Sequence, residues 1–348
     1  MEYRKLGTTD IKVSLICLGT MNMGVQVGEE DGRAQLDYAL EQGINFIDAA
    51  EMYPVPPQKE TYGRTEEIIA TWLKKSGRRK DIVLATKICG PSPSFPWVRD
   101  GKARVERAQI FEAVDGSLKR LGTDTIDLYQ IHWPQRPVNN FRKLDYDQTE
   151  VSGREADNIA ETLQALDELI TSGKVRHIGL SNETPWGVMT FLNCHIAKDL
   201  PRVQTVQNPY NLLNRTFDIG LAEIALQEEV GLLAYSPLGG GTLTGKYLNG
   251  QVPKGTRRDI DPRSSRYARP RADEAVADYL AIAKKHGLEP AQMALAFVNA
   301  RPYLTSTIIG ATSMEQLKVD IDSVKVKLPQ EIINEINAVH DRTPNPCP

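Results

Sequence analysis

Eight times along the chain a short apolar run of strand length gives way to a longer stretch of helical period, and this alternation restricts the fold more than any other feature. The runs "SLICLG", "INFIDA", "DIVLATK", "IDLYQIH", "VRHIGLSN", "VQTVQN", "GLLAYS" and "TSTIIG" precede helical segments at residues 31–41, 65–75, 107–120, 159–171, 185–197, 220–228, 272–286 and 314–323. Strands that are apolar nearly throughout, alternating with amphipathic helices, imply a parallel sheet covered on its outer face. Eight such units close on themselves, so the expected fold is α/β, a (β/α)8 TIM barrel. One extra helix is expected at 290–300, and residues 1–13 are expected to cap the barrel floor. The whole chain, 348 residues, is read as one barrel domain.

The connections are lopsided. Returns from helix to strand are brief, as in "EQGIN", "RLGTDT" and "TSGK", whereas several strand-to-helix connections are long: "AEMYPVPPQKETYGR", and residues 89–106, 133–158 and 237–271. In a barrel the long set emerges at the C-terminal rim of the strands, which is where binding and chemistry are expected.

Composition works by exclusion. A formal net charge of -3 gives no electrostatic case for nucleic acid. No apolar run approaches the roughly 18 residues of a membrane span, and "MEYRKLGTTD" lacks the apolar stretch of a secretory signal, so a cytoplasmic location is expected. Cys17, Cys89, Cys194 and Cys347 form no C-x-x-C pair, and there is no H-E-x-x-H. No metal site, membrane or nucleic-acid partner is expected; a small-molecule ligand is.

The residues closing the eight runs are Gly19-Thr20, Asp48, Lys87, His132, Ser181-Asn182, Gln207, Tyr235-Ser236 and Gly310, nearly all polar. A polar strand end can simply cap the next helix. An acid, an amine and an imidazole on three neighbouring strands, aimed at one axis, ask for more. A buried lysine needs a carboxylate, and Asp48 is one strand from Lys87, as a structural ion pair or as part of a site. Tyr53, five residues past Asp48, can fold back over the pair, where a cation favours phenolate relative to the usual pKa of about 10. That would make Tyr53 a proton donor usable near neutral pH.

The stretch "SPLGGGTLTGKY" contains a G-x-x-x-x-G-K spacing from Gly240 to Lys246, the outline of a triphosphate-binding loop. Tyr247 stands where that loop needs Ser or Thr for Mg²⁺, and Asn249-Gly250 with Pro253 oppose a long following helix. The triphosphate reading fails, and the glycines need another cause.

Taken together, "FIDAAEMYP", "LATK", "YQIHWP", "IGLSN", "VQNPYNLL", "LLAYSPLGGGTLTGKY" and "IIGATSMEQL" resemble, in order and over essentially the whole chain, the successive signatures of the aldo-keto reductases. The fuller strings "AEMYPVPP" and "HWPQRP" are similar to those of the family's Tas-like bacterial branch. The resemblance implies reduction of a small aldehyde or ketone with a nicotinamide cofactor, usually NADPH, so that NADP is the expected cofactor and no metal is required. It makes Tyr53 the proton donor and Asp48, Lys87 and His132 its companions. It places Tyr235 against the nicotinamide ring, and Ser181, Asn182 and Gln207 on the carboxamide, a planar group needing donors and acceptors. Ser236, Pro237, Leu238, Gly239, Gly240, Gly241, Thr242, Leu243, Thr244, Gly245 and Lys246 would wrap the phosphates. Gly19, Thr20, Met21, Asp48, Gly310, Thr312 and Gln316 complete the cofactor set. A dinucleotide would then account for the glycines, since glycine backbone and Lys246 can approach its phosphates.

The chain departs from the family pattern where many relatives read Glu and Asn after "EQL": here stand Val319 and Asp320. The arginine-rich "TRRDIDPRSSRYARPR" is either a lid over the cofactor, with Arg257, Arg258 and Arg263 the residues to test, or a solvated loop. Residues 54–62, 90–106 and 133–157 are expected to form the substrate pocket, with Trp97, Trp133 and Trp186 as aromatic walls. Two other functions stay open: a barrel aldolase using Lys87 as a Schiff-base amine, and a cofactor-binding redox-sensing or accessory protein with negligible turnover.

Overall fold

The computed structural model describes every residue except Asn140, Arg142, Gln148 and Glu150, together with the side chains at 263–265. An antiparallel hairpin, β1 (Tyr3–Lys5) and β2 (Lys12–Ser14), precedes eight parallel strands: β3 (Ile16–Gly19), β4 (Phe46–Asp48), β5 (Val83–Ile88), β6 (Ile126–Ile131), β7 (Val175–Ser181), β8 (Val203–Pro209), β9 (Gly231–Tyr235) and β10 (Leu304–Ile309). They pair in chain order, and β10 closes the barrel by pairing with both β9 and β3. Each apolar run of the sequence supplies one barrel strand. Runs 14–19 and 44–49 give shorter strands than their length predicts. At their start Ser14 and Asn45 bond each other's backbone through their side chains, at 2.8 and 3.2 Å, in place of the ladder.

The enclosing helices are α1 (Glu29–Glu41), α2 (Arg64–Ser76), α3 (Arg107–Leu121), α4 (Glu155–Thr171), α5 (Pro185–Lys198), α6 (Phe217–Gln227), the short α7 (Arg257–Ile260), α8 (Pro270–Lys285), α9 (Pro290–Asn299), α10 (Met314–Asp322) and α11 (Gln330–Arg342). Their apolar stripes pack on the barrel's outer face, where the main core lies. The hairpin plugs the floor: Leu6 and Val13 pack against Cys17, Phe46, Val83, Ala85, Leu128, Leu233 and Ile308 inside the barrel. The opposite end, at the strands' C-termini, is left for side chains that the long connections bring in. Helix α11 is absent from the sequence expectation, although Ile332, Ile336 and Val339 make a buried stripe at helical spacing. Among the described residues no helix is long and apolar enough to cross a membrane.

Candidate active site

Strands β4, β5 and β6 end side by side, with Asp48 in register with Ala85, and Lys87 with Gln130. Asp48 and Lys87 are buried, and the Lys87 Nζ donates to Asp48 Oδ2 at 2.6 Å and to the Ala49 carbonyl at 2.8 Å. An ammonium has three N–H donors, and the remaining side of Lys87 faces Tyr53, whose ring centroid is 4.9 Å from Nζ. His132 stands edge-on to the same ring, centroids 5.5 Å apart. The four expected residues thus converge at one point of the rim. Tyr53 and His132 each keep 8% of their surface exposed, so they form the accessible side of a cluster whose ion pair is sealed.

Charge state follows from this packing. Burial opposes the Lys87 charge, but Asp48 and Tyr53 together outweigh it and hold the pKa above the ordinary lysine value. Such an amine stays protonated, which speaks against the Schiff-base role. Burial, with Lys87 a weaker opposing influence, pushes the Tyr53 phenol above its ordinary range. This corrects the expectation of a lowered Tyr53: Asp48 neutralises much of the cation's field, and desolvation wins. The phenol is therefore fully protonated at neutral pH. Burial and the Lys87 charge together hold the His132 imidazole well below its usual pKa, so His132 is neutral at pH 7. Its Nδ1 is buried without a hydrogen-bond partner among the described residues.

Two features of the cluster escape a reading of strand ends. Gln130, fully buried, donates from Nε2 to Asp48 Oδ1 at 3.0 Å, and the Gln207 Nε2 donates both to that oxygen at 2.9 Å and to Gln130 Oε1 at 3.0 Å. Glu51 accepts from the Cys89 N–H at 2.6 Å, from Arg99 at 3.0 and 2.8 Å, and from the Tyr62 hydroxyl at 2.9 Å. It ties the loop carrying Tyr53 to the strand carrying Lys87. A polar residue on the inward side of an apolar strand was the available signal for Gln130; Glu51 gave none, because loop acids are ordinarily solvated.

Farther round the rim, Ser181 Oγ donates to the Gln207 carbonyl at 2.8 Å. The Asn182 amide donates to the His132 carbonyl at 2.8 Å and to Ser181 Oγ at 3.2 Å, while its Oδ1 accepts from the Tyr235 hydroxyl at 2.6 Å. Gly239, Gly240 and Gly241 are all left-handed, and a Cβ on Gly241 would lie 2.7 Å from Lys246 Nζ. Glycine is needed there to let the chain turn and keep the ammonium against the loop. Pro237, Thr242 and Leu243 are buried beneath it, and Leu243 belongs to the core. Thr20 turns its hydroxyl to the Asp48 carbonyl, 2.8 Å away, and Met21 packs beside the Tyr53 cluster. Gly19 and Gly310 meet where β3 and β10 end. The Thr312 N–H and hydroxyl both donate to Gln316 Oε1 at 3.0 Å at the start of α10.

The arginine-rich segment is no solvated loop. Arg258 donates to Thr242 Oγ1 at 3.0 Å and lies 4.1 Å above the Tyr247 ring, and Arg266 donates to the Tyr235 hydroxyl at 3.0 Å. It straps the glycine loop to the Tyr235 platform; the Arg263 side chain lies outside the described residues. Trp133 packs at 4.8 Å from His132, and Trp97 belongs with Phe95 to the Tyr53 cluster. Trp186 is displaced from its expected place: it is half exposed on α5, 4.9 Å from the Arg136 guanidinium.

A sequence model described as "Aldo/keto reductase family" matches residues 15–341. The chain belongs to the aldo/keto reductase family. Protein tas of Escherichia coli (strain K12) is 50% identical over 349 residues, covering 100% of both chains. The "Uncharacterized oxidoreductase YrpG" of Bacillus subtilis is 34% identical over 97% of this chain and 96% of its own. "Aldo-keto reductase yakc [NADP(+)]" of Schizosaccharomyces pombe is 30% identical over 97% and 91%. As a member of the family the chain is an oxidoreductase of aldehydes or ketones that works with a nicotinamide cofactor.

The residues fit that cofactor: the glycine cradle that a Cβ would fill is paired with a lysine, and the amides of Gln207 and Asn182 are fixed on Asp48 and on the His132 carbonyl. Asp320, one of the departures noted in the sequence, is buried in α10; burial and Glu289 push its carboxyl up to about 7, against the pull of Lys246. A carboxyl with a folded pKa near 7 and an unfolded pKa near 4 binds its proton more tightly in the fold. Its contribution to stability is full below about pH 4 and lost as pH rises through about 7. Asp320→Asn, which keeps the shape without the charge, should raise the urea midpoint at pH 8 while changing it little at pH 4, on the order of 1–3 kcal/mol. Equal urea curves at pH 8 would contradict it.

Proposed function

We propose that this protein is an NADPH-dependent carbonyl reductase in which Tyr53 protonates the substrate oxygen. The observation that carries the reading is the convergence of Tyr53 and His132, both reachable, over a sealed Lys87–Asp48 pair. Tyr235 would hold the nicotinamide of the bound cofactor, which would supply the hydride for the carbonyl carbon. As negative charge grows on the oxygen, Tyr53 passes its hydroxyl proton to it, and Lys87 stabilises the phenolate left behind. A protonated phenol is the form required, so the raised Tyr53 pKa keeps the acid populated; the strongly basic alkoxide drives the transfer. His132, neutral, donates a hydrogen bond to the same oxygen and sets its direction. Asp48 holds Lys87 charged and in place.

Ser181, Asn182 and Gln207 hold the carboxamide in this reading, and the glycine loop with Lys246 holds the pyrophosphate. The 2′-phosphate of NADPH falls to the N-terminal turn of α10, with Thr312 and Gln316, and to the strap's Arg258. Arg258→Ala should raise the KM for NADPH about tenfold and that for NADH less. An equal rise for both cofactors would move Arg258 to the pyrophosphate. The reading itself is tested with a panel of aldehydes, ketones and quinones, followed by NADPH absorbance, alongside quenching of protein fluorescence by NADPH. Turnover with quenching is the expected result; tight NADPH binding without oxidation by any compound would favour the accessory role.

A further inference from the structure

The buried amides around Asp48 carry information that the four clustered residues do not. Asp48, in its ion pair with Lys87, offers only acceptors. Its Oδ1 therefore dictates which end of each neighbouring amide faces it, and both Gln130 and Gln207 present Nε2. An amide nitrogen has two hydrogens. Those of Gln207 are both committed, one to Asp48 Oδ1 and one to Gln130 Oε1. Among the described residues no donor reaches Gln207 Oε1, so that oxygen is all the side chain has left to offer. Gln130 is itself fixed: it is fully buried, and the Gly179 position opposite leaves room for it, since a Cβ there would lie 3.3 Å from Gln130 Cγ.

We propose that Gln130 is a positioning residue for the cofactor: by accepting the second Gln207 N–H, it forces Gln207 to present a carbonyl oxygen to the carboxamide NH₂, and so selects which face of the nicotinamide meets the substrate. The inference rests on the placing of the carboxamide at Gln207 proposed above. Without Gln130 one Gln207 N–H is unpaired and a single bond to Asp48 Oδ1 is left to orient the amide; it can swivel about that bond and carry its oxygen off line, and a ring rotated by half a turn about its glycosidic bond is no longer excluded. A nicotinamide in the other orientation presents its opposite C4 hydrogen.

The test is Gln130→Met, an unbranched side chain of similar length without the amide. NADPH stereoselectively deuterated at C4 reads the face, and fluorescence quenching reads the dissociation constant. The reference ligand is adenosine 2′,5′-bisphosphate, which lacks the nicotinamide. Wild type should transfer hydrogen from a single face. The variant should give mixed transfer and bind NADPH about tenfold more weakly, the size of one orienting hydrogen bond, with its affinity for the bisphosphate unchanged. A merely structural defect would weaken both ligands together and leave facial selectivity intact, and either result overturns the proposal.

Should the Met variant fail to fold, Gln130→Glu decides. Protonated, the introduced carboxyl supplies the same donor and acceptor; ionised, it loses the donor to Asp48, and its repulsion from that carboxylate carries the acceptor away from the Gln207 N–H. Facial selectivity in that variant should then degrade as pH rises while wild type stays constant, and a constant selectivity in both refutes the role. If wild type turns over NADPH and these variants are indistinguishable from it, the inference alone falls. If wild type neither binds nor oxidises NADPH, the carboxamide placement falls with it.

Discussion

Tyr53→Phe should reduce carbonyl turnover by about 10²–10⁴-fold, the usual worth of a positioned acid, while NADPH still quenches protein fluorescence as in wild type. The substitution removes one oxygen and keeps the ring, so the edge contact with His132 and the ring's place above Lys87 survive. What disappears is the proton available to the nascent alkoxide. The loss should therefore fall on kcat, with the substrate's KM changed little, because the interaction strengthens only as charge develops on oxygen. His132 continues to offer a hydrogen bond, which keeps the residual rate above zero. Full activity in the variant would remove Tyr53 from the chemistry and leave the cluster as an ion pair under a hydrophobic lid.

The sequence made the barrel and three of the four clustered residues legible for one reason. Strand ends of a parallel barrel point at a common rim, so a polar residue closing an apolar run has a predictable place, as Asp48, Lys87 and His132 all show. The roles of Gln130 and Glu51 were hidden because they depend on partners brought from distant strands and loops: Gln207 lies 77 residues from Gln130, and Arg99 lies 48 from Glu51. Helix α11 was passed over because it follows the eighth barrel unit, although its stripe of Ile332, Ile336 and Val339 was there to read. The direction of the Tyr53 pKa is not legible in the sequence, because a neighbouring cation is visible there whereas the depth of burial that outweighs it is not.

Lys87→Met should cost the fold as well as the chemistry. Lys87 is fully buried and bonded to Asp48 at 2.6 Å, so removing it strands a carboxylate in the barrel, and breaking a buried pair from one side costs about 3–5 kcal/mol. Urea unfolding should show that loss at neutral pH. Adding Asp48→Asn to the same chain should restore most of it, because the introduced amide carries no charge to desolvate, and its carbonyl oxygen can still accept from Gln130 and Gln207 where Asp48 Oδ1 does. Activity should not return with stability, since the phenolate formed on Tyr53 would have no cation beside it. The double variant thus separates two meanings of one ion pair. Recovery of both stability and turnover would make Lys87–Asp48 a structural element only; recovery of stability alone assigns the ammonium to the proton transfer.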